Sequence, residues 1–299
     1  MTLHLRCPAK VNLHLQVLGK RPDGYHELRT LFAAVGVWDD LSLADGPAGT
    51  VALAVEPAGV VSDGPDNLVV KAANALSGKT DAKRGARITL RKRIPVAGGL
   101  GGGSADAAAA LVGLARLWDL RLGPRDLLAA AATVGADVPF FLVGGVAWGV
   151  GRGSEVSPVR DLPPWWVVLL PGPDPIPTSE AYRALDGGEP DGDELDGDAD
   201  VEIYRWVEKG GELPLGRCRN DLQPTVVKRW PEVGERLRRI DATRPLLAML
   251  SGSGGTVYGV YRGEDDARKA AEAVAVFRPL VAPVLTRGAS RLRPSAVEE

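Results

Sequence analysis

The chain has 299 residues, 45% of them hydrophobic and 25% charged, which supplies apolar material for more than one packed core and argues against a disordered chain. A formal net charge of −2 gives no basic bias toward nucleic acid or an anionic membrane surface. Two cysteines, Cys7 and Cys218, stand far apart in sequence, which argues against a disulfide framework or a zinc site.

Residues 3–18 alternate apolar and polar positions, so strands are predicted there, with Pro8 as an interruption or bulge. The stretch GKRPDGYHEL (19–28) is rich in turn formers, and residues 29–43 and 50–55 read as further strands. Asp66 and Asn67 are candidate caps for a helix running to about Leu76, and ARITLRKRI (86–94) predicts a strand ending at Pro95. IPVAGGLGGGSADAAAAL (94–111) then places five glycines directly before a run of alanines. A helix is predicted from Ser104, a suitable cap, to Trp118, and a second over 124–134 with Pro124 in its first turn. GADVPFFLVGGVAWGVGRG (135–153) reads as a turn with short apolar strands. Residues 154–164 read as a crossing between domains, and WWVVLLP (165–171) as a buried strand. The acidic, glycine-rich segment 186–202 is expected to be a mobile surface loop, an acidic cation site being the alternative. Helices are predicted at 221–229, 230–241 and 265–277, with strand, glycine turn and strand over 246–261 and a strand with a frayed tail at the end. No apolar run reaches the ~18 residues that span a bilayer, and no basic stretch leading into an apolar run opens the chain, so a cytoplasmic protein is expected.

A phosphate chain needs several backbone N–H donors converging without side chains in the way. Glycine permits that approach, and a helix N-terminus adds unpaired N–H groups and the positive end of a dipole. The 94–111 stretch offers both. Two familiar phosphate patterns fail: Gly78-Lys79-Thr80 has Ala73 where a P-loop needs glycine, and Ser104 replaces the third glycine of a dinucleotide fingerprint. Lys10 is a cation beside an early strand, able to neutralise charge on a transferring phosphoryl group, with an exposed strand lysine as the alternative. Asp137 is a carboxylate among apolar neighbours after a helix, either a reactive group or a turn closure. Tyr25 reads equally as a surface-turn aromatic, His4 and His14 as outward-facing or edge residues, and Asn220-Asp221 as a helix cap.

Three motifs in order resemble the GHMP kinases: PAKVNLHL (8–15), PVAGGLGGGSADAA (95–108) and LSGSGGTVY (250–258). Within that superfamily KRPDGYHEL, GADVPFFL, PGPDPIPTSEAY and RNDLQP are similar to the kinases of diphosphocytidyl-methylerythritol in the non-mevalonate isoprenoid route, and the likeness runs from about residue 5 to about 290. The resemblance implies a two-domain α+β fold, with a ribosomal-protein-S5-like first domain (1–155), a ferredoxin-like second domain (156–290) and a tail (291–299). It implies ATP on the loop formed by Pro95, Val96, Ala97, Gly98, Gly99, Leu100, Gly101, Gly102, Gly103, Ser104 and Ala105, with Mg²⁺ required and Ser104 as one ligand. Asp137 would take the proton of the substrate hydroxyl beside Lys10. Tyr25 and Tyr182 would stack on the cytosine of a cytidine-diphosphate-linked methylerythritol, His26 would bond its edge, and Asn12 and Thr178 would be polar contacts. A monomer or weak homodimer without nucleic-acid or membrane partners is expected. Another kinase of the homoserine or mevalonate type, and a non-catalytic nucleotide-binding regulator, remain the alternatives.

Overall fold

Two long strands carry the first half of the molecule. In the computed structural model, which describes residues 1–78, 84–174, 176–187 and 197–297, β1 (Thr2–Lys20) runs antiparallel to β2 (His26–Asp45) along almost its whole length. Leu3, Leu5 and Cys7 point into a core beneath the first-half helices. At Pro8/Ala9 the register shifts, leaving Gly36 and Val37 of β2 without partners. Beyond that bulge the odd residues Ala9, Val11 and Leu13 enter a different core, and the parity of β2 flips with them: Leu41 and Leu43 share a core with Phe32 and Ala34. The bulge expected at Pro8 therefore turns Lys10 and Asn12 to the helix side of the sheet.

β3 (Val51–Glu56) and β4 (Ala86–Arg91) pair in parallel, with α1 (Leu68–Ser77) in the crossover between them. Asn67 caps α1 by accepting from the Val69 N–H, as predicted. α2 (Gly102–Leu117), α3 (Pro124–Val134) and α4 (Val138–Val143) complete the helical layer. β5 (Val146–Gly151) returns to β2, and β6 (Glu155–Pro158) pairs with β5. VPFFLV, expected within a strand region, is the short helix α4; its Phe140 and Phe141 are both buried, and a brief apolar run has no periodicity to separate the two states.

The second half begins with β7 (Trp166–Leu170), followed by α5 (Thr178–Asp186), α6 (Gly197–Lys209), α7 (Gln223–Arg229) and α8 (Pro231–Asp241). β8 (Leu247–Leu250), β9 (Val257–Tyr261), α9 (Glu264–Ala273) and β10 (Leu280–Pro283) follow. The sheet order β10-β7-β9-β8, antiparallel throughout, is that of a ferredoxin-like β-α-β-β-α-β unit with extra helices in its first crossover. Val167 and Leu169 face the first sheet, whereas Val168 and Leu170 face α7–α9. The cluster holding Val11, Leu13, Val167 and Leu169 is thus a core shared by the two sheets.

Three expectations change. The chain end forms α10 (Arg287–Ser290) and β11 (Ser295–Val297), and β11 pairs with Thr2–His4 at the edge of the first sheet, so residues 295–297 are not a frayed tail and the boundary drawn at 155 falls at the start of β6. Of the acidic segment 186–202, residues 188–196 lie outside the described residues, while 197–202 open α6, whose Asp200 is buried. His14 is not outward-facing but fully buried; it lies 3.7 Å from Asp200 and near Trp148, and burial, aided by the Arg219 guanidinium, pushes its imidazole down to about 4.

Candidate active site

The glycine loop lies where β1, α2, α4 and the β8–β9 turn converge. Its Leu100 carbonyl accepts the Lys10 N–H at 2.9 Å, so loop and strand are directly tied. Gly101, not Ser104, is the N-cap of α2, because it adopts a left-handed φ of +69° that glycine takes without strain; Ser104 sits in the first turn. A Cβ on Gly101 would come within 2.9 Å of Lys10 Cγ and 2.8 Å of Phe141, so the loop packs against the lysine without room for a side chain. No side chain caps α2 and no acidic residue stands in its first turn, which leaves the leading N–H groups and the positive dipole end facing the cleft.

The third motif supports the loop from below. Ser251 Oγ donates to the Gly99 carbonyl at 2.9 Å and Thr256 N–H to Gly98 at 3.2 Å. Asn220 Nδ2 in turn donates to the carbonyls of Leu250 and Gly252, at 2.9 and 2.8 Å, and its Oδ1 accepts from Leu222 N–H. Asn220 is therefore both a local cap and the brace of the turn on which the loop rests.

Lys10 Nζ lies 3.4 Å from Asp137 Oδ2 and 2.6 Å from Asn12 Oδ1, and its side chain is 4% exposed against 33% for Asp137. Asp137 stands at the start of α4 without using its carboxylate as a cap. Asn12 Nδ2 donates to Thr30 Oγ1 at 2.8 Å, and Thr30 donates to the His14 carbonyl. Both ends of the Asn12 amide are therefore engaged inside the protein, and the residue expected as a substrate contact orients Lys10. The buried Tyr258 hydroxyl anchors the same strand by donating to the Asn12 carbonyl at 2.7 Å.

A cavity of about 560 Å³ joins these parts. Its walls include every residue from Pro95 to Ser104, with Lys10, Asn12, Asp137, Thr178 and Tyr182. Ala105 is buried behind that wall. Thr178 shares a 2.9 Å hydrogen bond with Ser253 of the third motif. Tyr182 stacks on His26 with ring centroids 4.7 Å apart, and His26 Nε2 is 2.7 Å from Asp186 Oδ1. That hydrogen bond and one from Lys20 hold the Asp186 carboxyl below its ordinary range. Burial raises the Tyr182 phenol well above its usual value, so the ring acts as a flat neutral surface. Tyr25 is 55% exposed and lies beneath the Arg152 guanidinium, 4.7 Å from its ring centre. Tyr25 and His26 do not line the cavity; Arg152 does.

Known proteins are similar to this chain in sequence and in fold. The GHMP kinases N terminal domain matches residues 67–145, and the GHMP kinases C terminal domain matches residues 208–278. A 4-diphosphocytidyl-2-C-methyl-D-erythritol kinase from Pelotomaculum thermopropionicum is 41% identical over 264 residues, 88% of this chain and 90% of that protein. One from Paramagnetospirillum magneticum is 42% identical over 281 residues, 92% and 94% of the two chains. The chain belongs to the 4-diphosphocytidyl-2-C-methyl-D-erythritol kinase family. A crystal structure of a 4-(cytidine 5'-diphospho)-2C-methyl-D-erythritol kinase superposes with a TM-score of 0.76 at 36% identity, covering 94% of this chain and 98% of that one. A homoserine kinase from Cytophaga hutchinsonii superposes almost as well, at 0.75 over 98% and 97% of the chains, but at 17% identity it shares the fold alone.

In this family member the motif-based reading missed several site residues. Arg152 is flanked by glycines at a strand end, a position that an outward-reaching cation fits, but nothing in the sequence placed it at the cavity. Thr30 sits within an apolar strand and gives no signal at all. Among the described residues no group of three His, Cys, Asp or Glu side chains converges, so they provide no carboxylate cage for a cation. Ser104, a neutral oxygen on the cavity wall in the first turn of α2, fits a cation that arrives bound to nucleotide phosphates.

Proposed function

We propose that this protein is an ATP-dependent kinase that phosphorylates the 2-hydroxyl of 4-diphosphocytidyl-2-C-methyl-D-erythritol, releasing ADP. The observation that carries the reading is the meeting of Lys10 and Asp137, 3.4 Å apart, on the wall of a cavity lined by an uncapped helix mouth. That geometry brings a base, a cation and a cluster of backbone N–H donors to one space, which is what in-line phosphoryl transfer needs.

The roles follow from the chemistry of each group. The N–H groups at the start of α2 and along the glycine loop receive the triphosphate, and Leu68, Pro95 and Val96 on the same cavity wall offer an apolar seat for the adenine. The acceptor hydroxyl hydrogen-bonds to Asp137, which takes its proton as the oxygen attacks the γ-phosphorus; the bond to the β–γ bridging oxygen breaks and ADP leaves. Lys10, held in line by Asn12, lies against the developing alkoxide and the equatorial oxygens. Ser104 would hold a nucleotide-bound Mg²⁺, which would supply charge neutralisation on the phosphates.

The acceptor occupies the end lined by Tyr182, Thr178 and Arg152. The Tyr182 ring, stiffened by His26, offers one face to the cytosine, and Asp186 fixes His26. Tyr25 reaches the base or the ribose from the rim with Arg152, whose guanidinium also suits the diphosphate. The testing experiment is a coupled ADP-release assay with ATP, Mg²⁺ and the cytidine compound, run beside homoserine and mevalonate. Turnover restricted to the cytidine compound supports the reading, and no ADP release with it rejects the reading.

A further inference from the structure

Beneath the glycine loop lies an ion cluster that the transfer chemistry leaves unused. Lys92 Nζ is 2.5 Å from Asp39 Oδ2 and 2.7 Å from Asp106 Oδ2, and the three side chains are 4%, 0% and 1% exposed. A buried ionic cluster is weak evidence of stabilisation, since well-packed apolar groups of similar volume often serve as well or better. Its connections point to another role.

Asp39 Oδ1 accepts the N–H groups of Arg93 and Ile94, at 2.5 and 2.9 Å, the last two residues before the loop. Asp106 stands on α2 just after the loop. Lys92 binds both carboxylates, so one ammonium ties the strand that enters the loop to the helix that leaves it. The same ammonium would lie 3.1 Å from a Cβ on Gly102, which puts it directly against the first turn of α2. Lys92 and Asp106 both reach the cavity wall, and Asp106 Oδ1 is buried without a hydrogen-bond partner. Burial pushes the Asp106 carboxyl up to about 7, with Lys92 opposing and Asp39 adding to the shift. The loop between these anchors is mostly glycine, which loses the most backbone freedom on ordering. Its N–H donors are preorganised only if both ends are held.

We propose that Asp39, Lys92 and Asp106 form a positioning unit that holds the glycine loop in the shape that receives the triphosphate, with Lys92 as the residue that sets it. The proposal rests on the reading that residues 95–105 bind ATP. Lys92 is a positioning residue here, acting on the nucleotide through the loop and not on the acceptor.

The test uses the double substitution Lys92→Met with Asp106→Leu, which removes the Lys92–Asp106 pair but keeps the volume and leaves Asp39 with its two N–H donors. KM for ATP and for the acceptor are measured by ADP release. Binding of Mg²⁺ with a non-hydrolysable ATP analogue is followed by calorimetry, and Tm by thermal melting. The expected result is a folded protein with a lowered Tm, because the buried Asp39 carboxylate loses its ammonium, together with a KM for ATP raised about tenfold or more and an acceptor KM within about twofold. A wild-type KM for ATP in the folded double variant, or an equal rise in both KM values, overturns the proposal. Should the double variant not fold, the isosteric Asp106→Asn decides. A KM for ATP raised about threefold or more with the acceptor KM unmoved supports the unit, and an unchanged KM for ATP overturns it. Wild-type protein that binds no analogue rejects the ATP reading itself; wild type and variants that bind it equally reject the positioning unit alone.

Discussion

Replacing Gly99 by alanine tests how closely the phosphate loop and the third motif are fitted. Gly99 has a φ of +75°, and an added Cβ would lie 1.9 Å from the Ser251 carbonyl oxygen and 2.9 Å from its carbon. Carbon–oxygen contacts relax near ~3.3 Å, so the loop or the Ser251–Gly254 turn must move by roughly 1.4 Å. A left-handed alanine costs roughly 1–2 kcal/mol. That shift also breaks the bonds from Ser251 Oγ to Gly99 and from Thr256 N–H to Gly98, at about 1 kcal/mol each. The sum, about 3–4 kcal/mol, falls on the shape of the loop, and an ångström of misplacement alone is worth ~10² in rate. The expected outcome is a kcat/KM for ATP lowered by about 10² or more in the ADP-release assay, a loss of about 2.7 kcal/mol of transition-state stabilisation. Gly78→Ala, in an ordinary helical conformation with nothing within 4 Å of its Cβ, is the control and should match wild type. A Gly99→Ala enzyme within about threefold of wild type would refute the reasoning.

Four further outcomes are expected. Asp137→Asn should bind both substrates with near-wild-type affinity, measured by calorimetry, while kcat falls by about 10² or more; an unaltered kcat would remove Asp137 as the base. Arg152→Met should raise the KM for the acceptor and leave that for ATP in place, and the reverse pattern in steady-state kinetics would move Arg152 to the nucleotide end. Asn220→Ala leaves the Leu250 and Gly252 carbonyls without their donor and should raise the KM for ATP while lowering Tm; a change in neither would contradict its bracing role. His14 stays neutral in the folded chain down to about pH 4 but protonates near 6.5 when unfolded. The unfolded state therefore binds the extra proton, and stability falls as pH drops through that window, by on the order of 3 kcal/mol for this residue alone. Asp200, whose carboxyl burial raises, works in the opposite sense in both chains, so urea unfolding of wild type against His14→Gln at pH 7 and 4.5 isolates the term; equal losses would contradict it.

The glycine loop and its helix were legible because they depend on local chemistry, whereas Lys10 and Asp137 were assigned roles only through the resemblance to the GHMP kinases. A run of glycines before alanines states a backbone requirement, and a carboxylate between Ala136 and Val138-Pro139 stands out against its neighbours. In the second sheet β7, β8 and β9 were legible as apolar runs broken by a glycine turn, whereas the four residues of β10, Leu280–Pro283, were too few to stand out. The cap of α2 was misplaced by three residues because Ser104 is a good side-chain cap, whereas left-handed Gly101 allows the tighter start. What stayed hidden is what long-range pairing decides. The burial of His14 follows from the docking of Asp200 on α6 and Arg219 beside it, from a distant part of the chain. The role of Asn12 follows from Thr30 across the β1–β2 ladder, and the Asp39–Lys92–Asp106 cluster draws on three elements with no shared motif. A strand was expected at the chain end, but not that β11 would pair with the open edge of β1, which only the assembled sheet decides.

The most direct measurement is a crystal structure of the ternary complex with Mg²⁺, a non-hydrolysable ATP analogue and the cytidine acceptor. The 2-hydroxyl oxygen should lie within ~2.6–3.2 Å of an Asp137 carboxylate oxygen, with Lys10 Nζ beside it and the γ-phosphate against the N–H groups at the start of α2. A nucleotide bound away from residues 98–104, or an acceptor hydroxyl out of reach of Asp137, would contradict the proposed chemistry.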